Sequence, residues 1–402
     1  MATVVFIAFF GFNFVMPILP LYVRQLGAGD VGQAALLSGV MLGIAPLLAA
    51  FFSPLWGVVA DRHGRKRMVQ RSMLVMVVAT VLMGLVTNNW QLFLLRASIG
   101  VFGGFTSMAM AYVVTVTPPN RASAALGLLQ AAQMGGVIVG PLCAGYIADN
   151  LSLRAAFFGG AVVVFCGFLV LTFLTPDDRR IGLVPLSTEI SEERMKSPLS
   201  GLSQLGAAAR LPGFVAIMGV LFLVQVVDRS FGPVLPLYVE SLGTPPDRVA
   251  SFAGLVVSLA AAATAISATV VGRLAIQVPV QGLLIATLVA GMALCVPLAF
   301  VQSPIQLVAA RSLLGLMAGG SLTLAYSLAN AAVPADSKGA AFGVLSSVGL
   351  LGSALSPLAM GALSALDLRA VFYVNALLYG IALAWAAKAR VHPLGPQLAD
   401  GS

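Results

Sequence analysis

The sequence predicts an all-α membrane protein of twelve transmembrane helices in two pseudo-symmetric six-helix bundles. Composition, the length of the apolar runs and an internal repeat predict it. Of the 402 residues, 59% are hydrophobic and 9% charged, against about 45–50% and about 25% in soluble domains. That balance excludes a water-soluble globule, and it is the reverse of what keeps a chain disordered. The Leu, Val, Ala, Gly and Met runs approach the ~20 residues a helix needs to cross the hydrocarbon, whereas outer-membrane barrel strands alternate over about ten.

In order, the spans fall near residues 4–23, 34–60, 72–88, 90–116, 124–148 and 155–175, then 213–239, 249–272, 281–302, 304–333, 340–365 and 370–389. Only Met1, Ala2 and Thr3 precede the first run, which lacks a basic leader and a small-residue cleavage site; it reads as a retained span rather than a signal peptide. The absent basic leader leaves room for a start further upstream. Between the two sets lies the one long hydrophilic connection, with Asp177, Asp178, Arg179, Arg180, Glu189, Glu192, Glu193, Arg194, Lys196 and Arg210. The chain therefore divides into an N-terminal bundle over 1–175, a cytoplasmic linker over 176–211 and a C-terminal bundle over 212–402.

The net charge of +8 comes from bases scattered through short loops, which marks topology rather than a nucleic-acid surface. With the N-terminus inside, fifteen Lys and Arg fall on the cytoplasmic side and four (Arg24, Arg154, Arg248, Arg369) outside. The positive-inside rule then places both termini and the linker in the cytoplasm. Cys143, Cys166 and Cys295 lie inside apolar runs without CxxC or Cys/His spacing, so neither a disulfide framework nor a metal site is expected.

Pro17-Ile-Leu-Pro-Leu-Tyr-Val-Arg-Gln-Leu-Gly27 recurs as Pro233-Val-Leu-Pro-Leu-Tyr-Val-Glu-Ser-Leu-Gly243, eight of eleven identical at an offset of 216. Arg96 and Gly100 match Arg311 and Gly315 at 215, and Gly127, Gly136, Pro141 and Gly145 match Gly343, Gly352, Pro357 and Gly361 at 216. A duplicated six-span unit of one orientation is the architecture of alternating access, in which two halves rock about a site near the midplane. Duplication merely to enlarge a bundle is the structural alternative.

After the second span comes Gly57-Val-Val-Ala-Asp61-Arg62-His63-Gly64-Arg65-Lys66-Arg67. It resembles the signature loop of the major facilitator superfamily, Gly-x-x-x-Asp-Arg-x-Gly-Arg-Arg/Lys. A positive-inside anchor would account for the bases but not for the Gly57, Asp61, Gly64 spacing. Asp61, where a span meets water, is placed to cap the positive end of a neighbouring helix, and Arg65 to pair with a carboxylate. The resemblance implies a conformational latch made of Gly57, Asp61, Arg62, Gly64, Arg65 and Lys66 on the cytoplasmic side. The equivalent stretch Gly272-Arg-Leu-Ala-Ile-Gln277 has no acid, so the latch is one-sided.

Leu92-x-x-x-Arg96-x-x-x-Gly100 resembles the superfamily's membrane-embedded arginine motif. By that resemblance Arg96 assists proton movement; snorkelling to the nearby interface is the alternative. Gly127, Gly136, Gly140, Pro141, Ala144 and Gly145 resemble the motif of efflux members, with Ala144 where a glycine is usual. Gly11, Pro17 and Pro20 in the first span point to the same branch.

Asp228 is the acid that falls deep inside a span, five residues before Pro233. Desolvation makes such a carboxyl reversibly protonatable near neutral pH, so it is expected to carry the proton. Its neighbour Arg229 points about 100° away on a helix and is expected to answer to another helix, tuning the charge or touching an anionic substrate. A structural ion pair holding the halves together is the competing reading. Asn13, Gln130, Gln133, Gln225, Ser346 and Asn375 are candidate substrate-orienting groups, each equally able to bond another helix.

No P-loop, nucleophile elbow or metal motif is present in the sequence. The expectation is therefore a non-enzymatic, proton-coupled exporter of amphipathic small molecules in the inner membrane. It would use no cofactor beyond the proton gradient. Its partners would be substrate, protons and the lipid bilayer, with no nucleic acid; the sequence does not set an oligomeric state. The alternatives are a narrow metabolite exporter or importer, for a sugar or organic anion, and a non-transporting scaffold or receptor.

Overall fold

A computed structural model describes residues 1–118, 121–175, 213–333 and 338–388. The expected linker over 176–211 and the side chains of Asp61 and Arg62 lie outside the described residues. The described residues form sixteen helices: α1 (Ala2–Phe12), α2 (Val15–Gln25), α3 (Val31–His63), α4 (Arg65–Leu85), α5 (Asn89–Phe102), α6 (Phe105–Val116), α7 (Ala122–Asn150) and α8 (Leu153–Leu174), then α9 (Phe214–Ser230), α10 (Leu235–Ser241), α11 (Val249–Leu274), α12 (Val280–Leu298), α13 (Pro304–Ala318), α14 (Ser321–Ala332), α15 (Lys338–Ser364) and α16 (Ala370–Lys388). Eleven candidate spans are long and apolar enough to cross a bilayer, and α9 with α10, bent by 45°, makes a twelfth.

Four spans are broken, and the breaks follow the chemistry of the backbone. Pro17 and Pro233 have no N–H, so the carbonyls of Asn13 and Arg229 lack their helical donors. The helix stops at both places, between α1 and α2 and between α9 and α10. At the first break the Asn13 side-chain amide also donates to the Phe9 carbonyl at 2.7 Å. Gly103 and Gly104 part α5 from α6, with Gly104 at φ +85°, a conformation open to glycine. Gly319 and Gly320 part α13 from α14, and the Gly320 N–H donates to Ser267 Oγ of α11 at 3.0 Å. The broken spans are the first, fourth, seventh and tenth, the leading member of each three-span unit. Inverted three-span repeats nested in each half produce that pattern.

Each lobe repeats the other's packing. In the first lobe α1 packs on α7 and α8, α3 on α5, and α4 on α8; in the second, α9 packs on α15 and α16, α11 on α13, and α12 on α16. Tyr22 donates to the Met83 carbonyl at 2.9 Å and packs on Phe157, with ring centroids 4.8 Å apart. Its repeat mate Tyr238 donates to the Leu298 carbonyl at 3.0 Å and packs on Phe372 at 4.9 Å. Both hydroxyls thus satisfy carbonyls near the end of their lobe's third span.

The third span begins earlier than the hydropathy suggests. α4 starts at Arg65, so Arg65, Lys66, Arg67 and Arg71 occupy its first two turns rather than a loop. The turn into it is made by Gly64 at φ +98°, ψ 133°, where a side chain is strained. Gly64→Ala is expected to cost about 1–3 kcal/mol, read as a lower melting temperature of the detergent-solubilised protein. Tyr22→Phe and Tyr238→Phe should each cost about 1 kcal/mol, by leaving a buried carbonyl without its donor.

Candidate functional site

The lobes meet along two seams, α3 against α15 and α7 against α11, and both are backbone contacts between small residues. At the first, a Cβ on Gly39 would come within 2.9 Å of Gly361 Cα, and one on Gly361 within 2.7 Å of the Ala35 carbonyl oxygen. At the second, a Cβ on Gly145 would lie 2.9 Å from Ser251 Cα, while Gly254 faces the Pro141 carbonyl. Gly32, Gly39, Gly43 and Gly361 on one seam, with Gly145 and Gly254 on the other, lie from the middle of the spans to the end away from Ala2 and Lys388. An apolar core containing Leu19, Tyr22 and Phe157 continues across the lobes there into Leu237 and Ala250.

At that far end Arg24 pairs with Glu240. These are repeat mates, so they sit near the pseudo-two-fold axis and meet each other; opposite sign turns a repulsion into a tie. By contrast, Cβ atoms on Gly57, Gly127 and Gly272, near the terminus-bearing end, would meet nothing within 4 Å. The structure is closed at the far end and splayed at the end bearing the termini.

Asp228 lies on α9 just before the break. Its side chain is 50% exposed, and its Oδ2 is 3.6 Å from Nε of Arg229, itself 48% exposed. The expectation that the two would diverge is corrected: the long Arg229 side chain folds back across the 100° step, although 3.6 Å is beyond hydrogen-bond length. Beyond the end of the helix, Gly232 faces Leu42 and Met16 of the first lobe, so the turn that follows Asp228 meets the seam. From within its own lobe Asp228 is in electrostatic reach of Arg311 on α13 and Tyr379 on α16. The Arg311 guanidinium rests 4.0 Å over the Phe231 ring. The carboxylate thus has one guanidinium close by and a second within electrostatic reach.

Arg96 is 3% exposed, and its Nε donates to the Met41 carbonyl of α3 at 3.1 Å. It is buried against its own lobe, so the snorkelling alternative does not describe it. Arg65 donates to the Ala111 carbonyl at 2.9 Å and to Thr115 Oγ1, at the end of α6. Lys66, 5% exposed, donates to the Thr175 and Thr172 carbonyls at 2.6 and 3.2 Å, at the end of α8. Cations at helix C-termini complement the dipole and the orphan carbonyls. In this conformation these contacts fasten the latch loop to its own lobe. Nearby, Arg71 lies 3.4 Å over the Trp56 ring.

The efflux-like glycines divide in two. Gly136 and Gly140 pack on α1, near Phe6, Phe10 and Asn13, while Pro141 and Gly145 pack on α11 of the other lobe. The polar candidates divide as well. Asn375 is fully buried and donates to Ser230 Oγ at 2.8 Å, Gln225 donates to Ser353 Oγ at 2.7 Å, and Asn13 serves the break in the first span. These three bond within their own lobes, the alternative that the sequence left open for each. Gln130 and Ser346 are exposed and Gln133 is half-buried.

A family model described as Major Facilitator Superfamily matches residues 1–275 and 217–401. The chain belongs to the Major Facilitator Superfamily. As a member of this superfamily it is a membrane transporter, not an enzyme. It is 38% identical over 367 residues to the multidrug resistance protein MdtG of Dickeya zeae, covering 91% of this chain and 87% of that protein. It is 36% identical to MdtG of Klebsiella pneumoniae, at 91% and 86% coverage. Among solved superfamily structures, the nucleoside transporter NupG aligns over 96% of this chain and 98% of its own, with a TM-score of 0.76 at 14% identity. A bacterial homologue of the human lysosomal transporter Spinster, inward-facing and occupied, aligns over 97% and 96%, with a TM-score of 0.76 at 14% identity. At that identity the two show the fold.

Arg311 and Tyr379 are the site residues that sequence reasoning passed over. Arg311 carried a signal, since it is the repeat mate of Arg96; Tyr379 carried none, because an aromatic in an apolar span reads as packing. In this superfamily fold the seams must close tightly for the far end to shut. Gly39→Leu and Gly361→Leu are therefore expected to lower transport at least about tenfold while the protein still inserts and purifies, since a branched side chain separates backbones that now touch. Gly282→Ala, at a position open to space, should leave transport unchanged.

Proposed function

We propose that this chain is a proton-coupled antiporter that exports amphipathic small molecules across the inner membrane by alternating access. The observation that supports the coupling is Asp228: a half-exposed carboxylate within a span, 3.6 Å from Arg229 and in electrostatic reach of Arg311. When it is ionised, two cations offset its charge. When it takes a proton, Arg229 loses its counter-ion and the electrostatic balance between the lobes changes. A ligand moves such an equilibrium only by its differential affinity for the two states. Proton and substrate must then favour opposite openings, which is antiport. The relatives named multidrug resistance proteins support a broad amphipathic substrate range. Arg96 assists from the first lobe as a fixed buried charge, and the Gly57–Lys66 loop latches the terminus-bearing end when that end closes. The glycine motif of α7 shapes the far-end seam, and Gln130, Gln133 and Ser346 remain the polar groups for orienting substrate.

The excess of Lys and Arg, fifteen against four, supports a cytoplasmic location for the terminus-bearing end. The splayed end is then cytoplasmic and the conformation inward-facing. In proteoliposomes with an imposed pH gradient, Asp228→Asn should abolish gradient-driven accumulation of a lipophilic cation while retaining its binding. Full-rate accumulation by that variant would remove Asp228 from coupling. For the topology, Gln302→Cys should react with a membrane-impermeant maleimide in intact cells, and Arg273→Cys only after permeabilisation.

A further inference from the structure

The N-termini of α3 and α11 are repeat mates, and they are finished differently. In α3 the cap is local: Asp30 accepts the Gln33 N–H at 2.6 Å from an extended N-cap backbone at φ −136°, ψ 175°. In α11 the N-cap position is Arg248 at φ −132°, ψ −2°, with no side-chain cap of its own, and the mate of Asp30 is Pro246. Instead, the Ala250 and Ser251 N–H groups donate to the two carboxylate oxygens of Asp149, at 3.1 and 2.6 Å. Those are the second and third residues of α11, the donors an N-cap side chain ordinarily serves. Asp149 lies at the end of α7, in the other lobe. Its own repeat mate is Ala365, which has no acceptor side chain to offer α3.

We infer that Asp149 is a positioning residue for transport: a helix cap supplied across the lobes, which locks the far end shut in this conformation. A local cap costs nothing when lobes separate, because it travels with its helix. A cap donated by the opposite lobe is lost at the moment of opening, leaving two backbone donors and the positive end of α11 without their anion. Gly145, one turn earlier on α7, brings the backbone of α7 against Ala250 and Ser251 and so delivers the carboxylate. The Arg24–Glu240 pair stands at the same end but is partly exposed, where an ion pair contributes little. The directional lock is Asp149.

The inference rests on the rocking cycle proposed above, and the test separates the two. In a chain whose three cysteines are replaced by alanine, spin labels are placed at Trp90→Cys and Ile305→Cys. These are repeat mates at the far end of opposite lobes, and the labelled protein is held in lipid nanodiscs. A second pair, Asp247→Cys with Ile305→Cys, lies within one lobe. Asp149→Ala should raise the ratio of long to short cross-lobe distances roughly five- to tenfold, the size of a lost cap, with the within-lobe distance unchanged. Asp149→Asn keeps the shape and one acceptor, and it should give a smaller shift in the same direction. An unshifted cross-lobe distribution in both variants overturns the lock. So does a within-lobe distance that broadens together with the cross-lobe one, since that marks a cap that only holds α11 together. A parent protein with one cross-lobe distance at every pH and substrate concentration overturns the rocking cycle, and the lock falls with it.

Discussion

Two lobes that must separate cannot be joined by interdigitated side chains, yet the seam between them has to exclude ions when shut. The structure meets both demands with bare backbone. Gly39 lies against Pro357 and Gly361, and Gly254 against Pro141, so the surfaces in contact are carbonyls and Cα atoms. Such a contact is tight because nothing intervenes, and reversible because no rotamer has to unpack. The rest follows from where these small residues sit: they lie from mid-span to the far end, so that end closes and the other is left splayed. Side-chain ties are then added sparingly at the rim, where separating them exposes polar groups to water rather than to lipid.

The same economy governs the broken spans. Within the hydrocarbon an unpaired carbonyl is tolerated where protein or a water-filled cavity satisfies it. Pro17 and Pro233 free the carbonyls of Asn13 and Arg229 in the spans that meet at the lobe interface, and no comparable break interrupts the long helices α3, α7, α11 and α15 that make the seams. Unbroken helices carry the contact between the lobes, and broken ones carry the polar groups. Asp228 and Arg229 stand at the last turn of α9, where chain direction changes by 45° and both side chains reach exposed space.

Most of this was legible in the sequence, because the bilayer reduces secondary structure to one choice and the 216-residue repeat gives each element a partner. The spans, the duplication and the Gly57–Arg67 spacing that resembles the superfamily loop are all one-dimensional signals. What was not legible depends on which face of a helix meets which neighbour. Whether the Asn375 amide orients substrate or bonds another helix is undecided by the sequence; in the structure it is fully buried and donates to Ser230 of α9. Arg229 was expected to turn away from Asp228, because backbone geometry fixes where Cβ points and not where a four-atom arm ends. Hydropathy started the third span at 72, whereas the helix begins at Arg65: Arg65 and Lys66 bury their stems and spend their charge on the ends of α6 and α8, which a hydropathy window scores as loop.

Where the halves agree, the repeat explains the scaffold; where they differ, it isolates the function. Arg96 and Arg311 place a guanidinium at equivalent positions in each lobe, but the mate of Asp228 is Phe12, so an acid is in electrostatic reach of Arg311 and an aromatic ring takes the matching position in the first lobe. A symmetric pair of acids would give each lobe its own proton site and no reason for the two openings to differ. In the proposed cycle, one acid in one lobe makes the electrostatic balance of the two halves unequal and dependent on a single proton. The far-end differences obey the same logic: Arg24 against Glu240 and Asp149 against Ala365 each turn a symmetric contact into a directed one. A duplicated bundle supplies two states of similar energy, and a few unmatched charges suffice to choose between them.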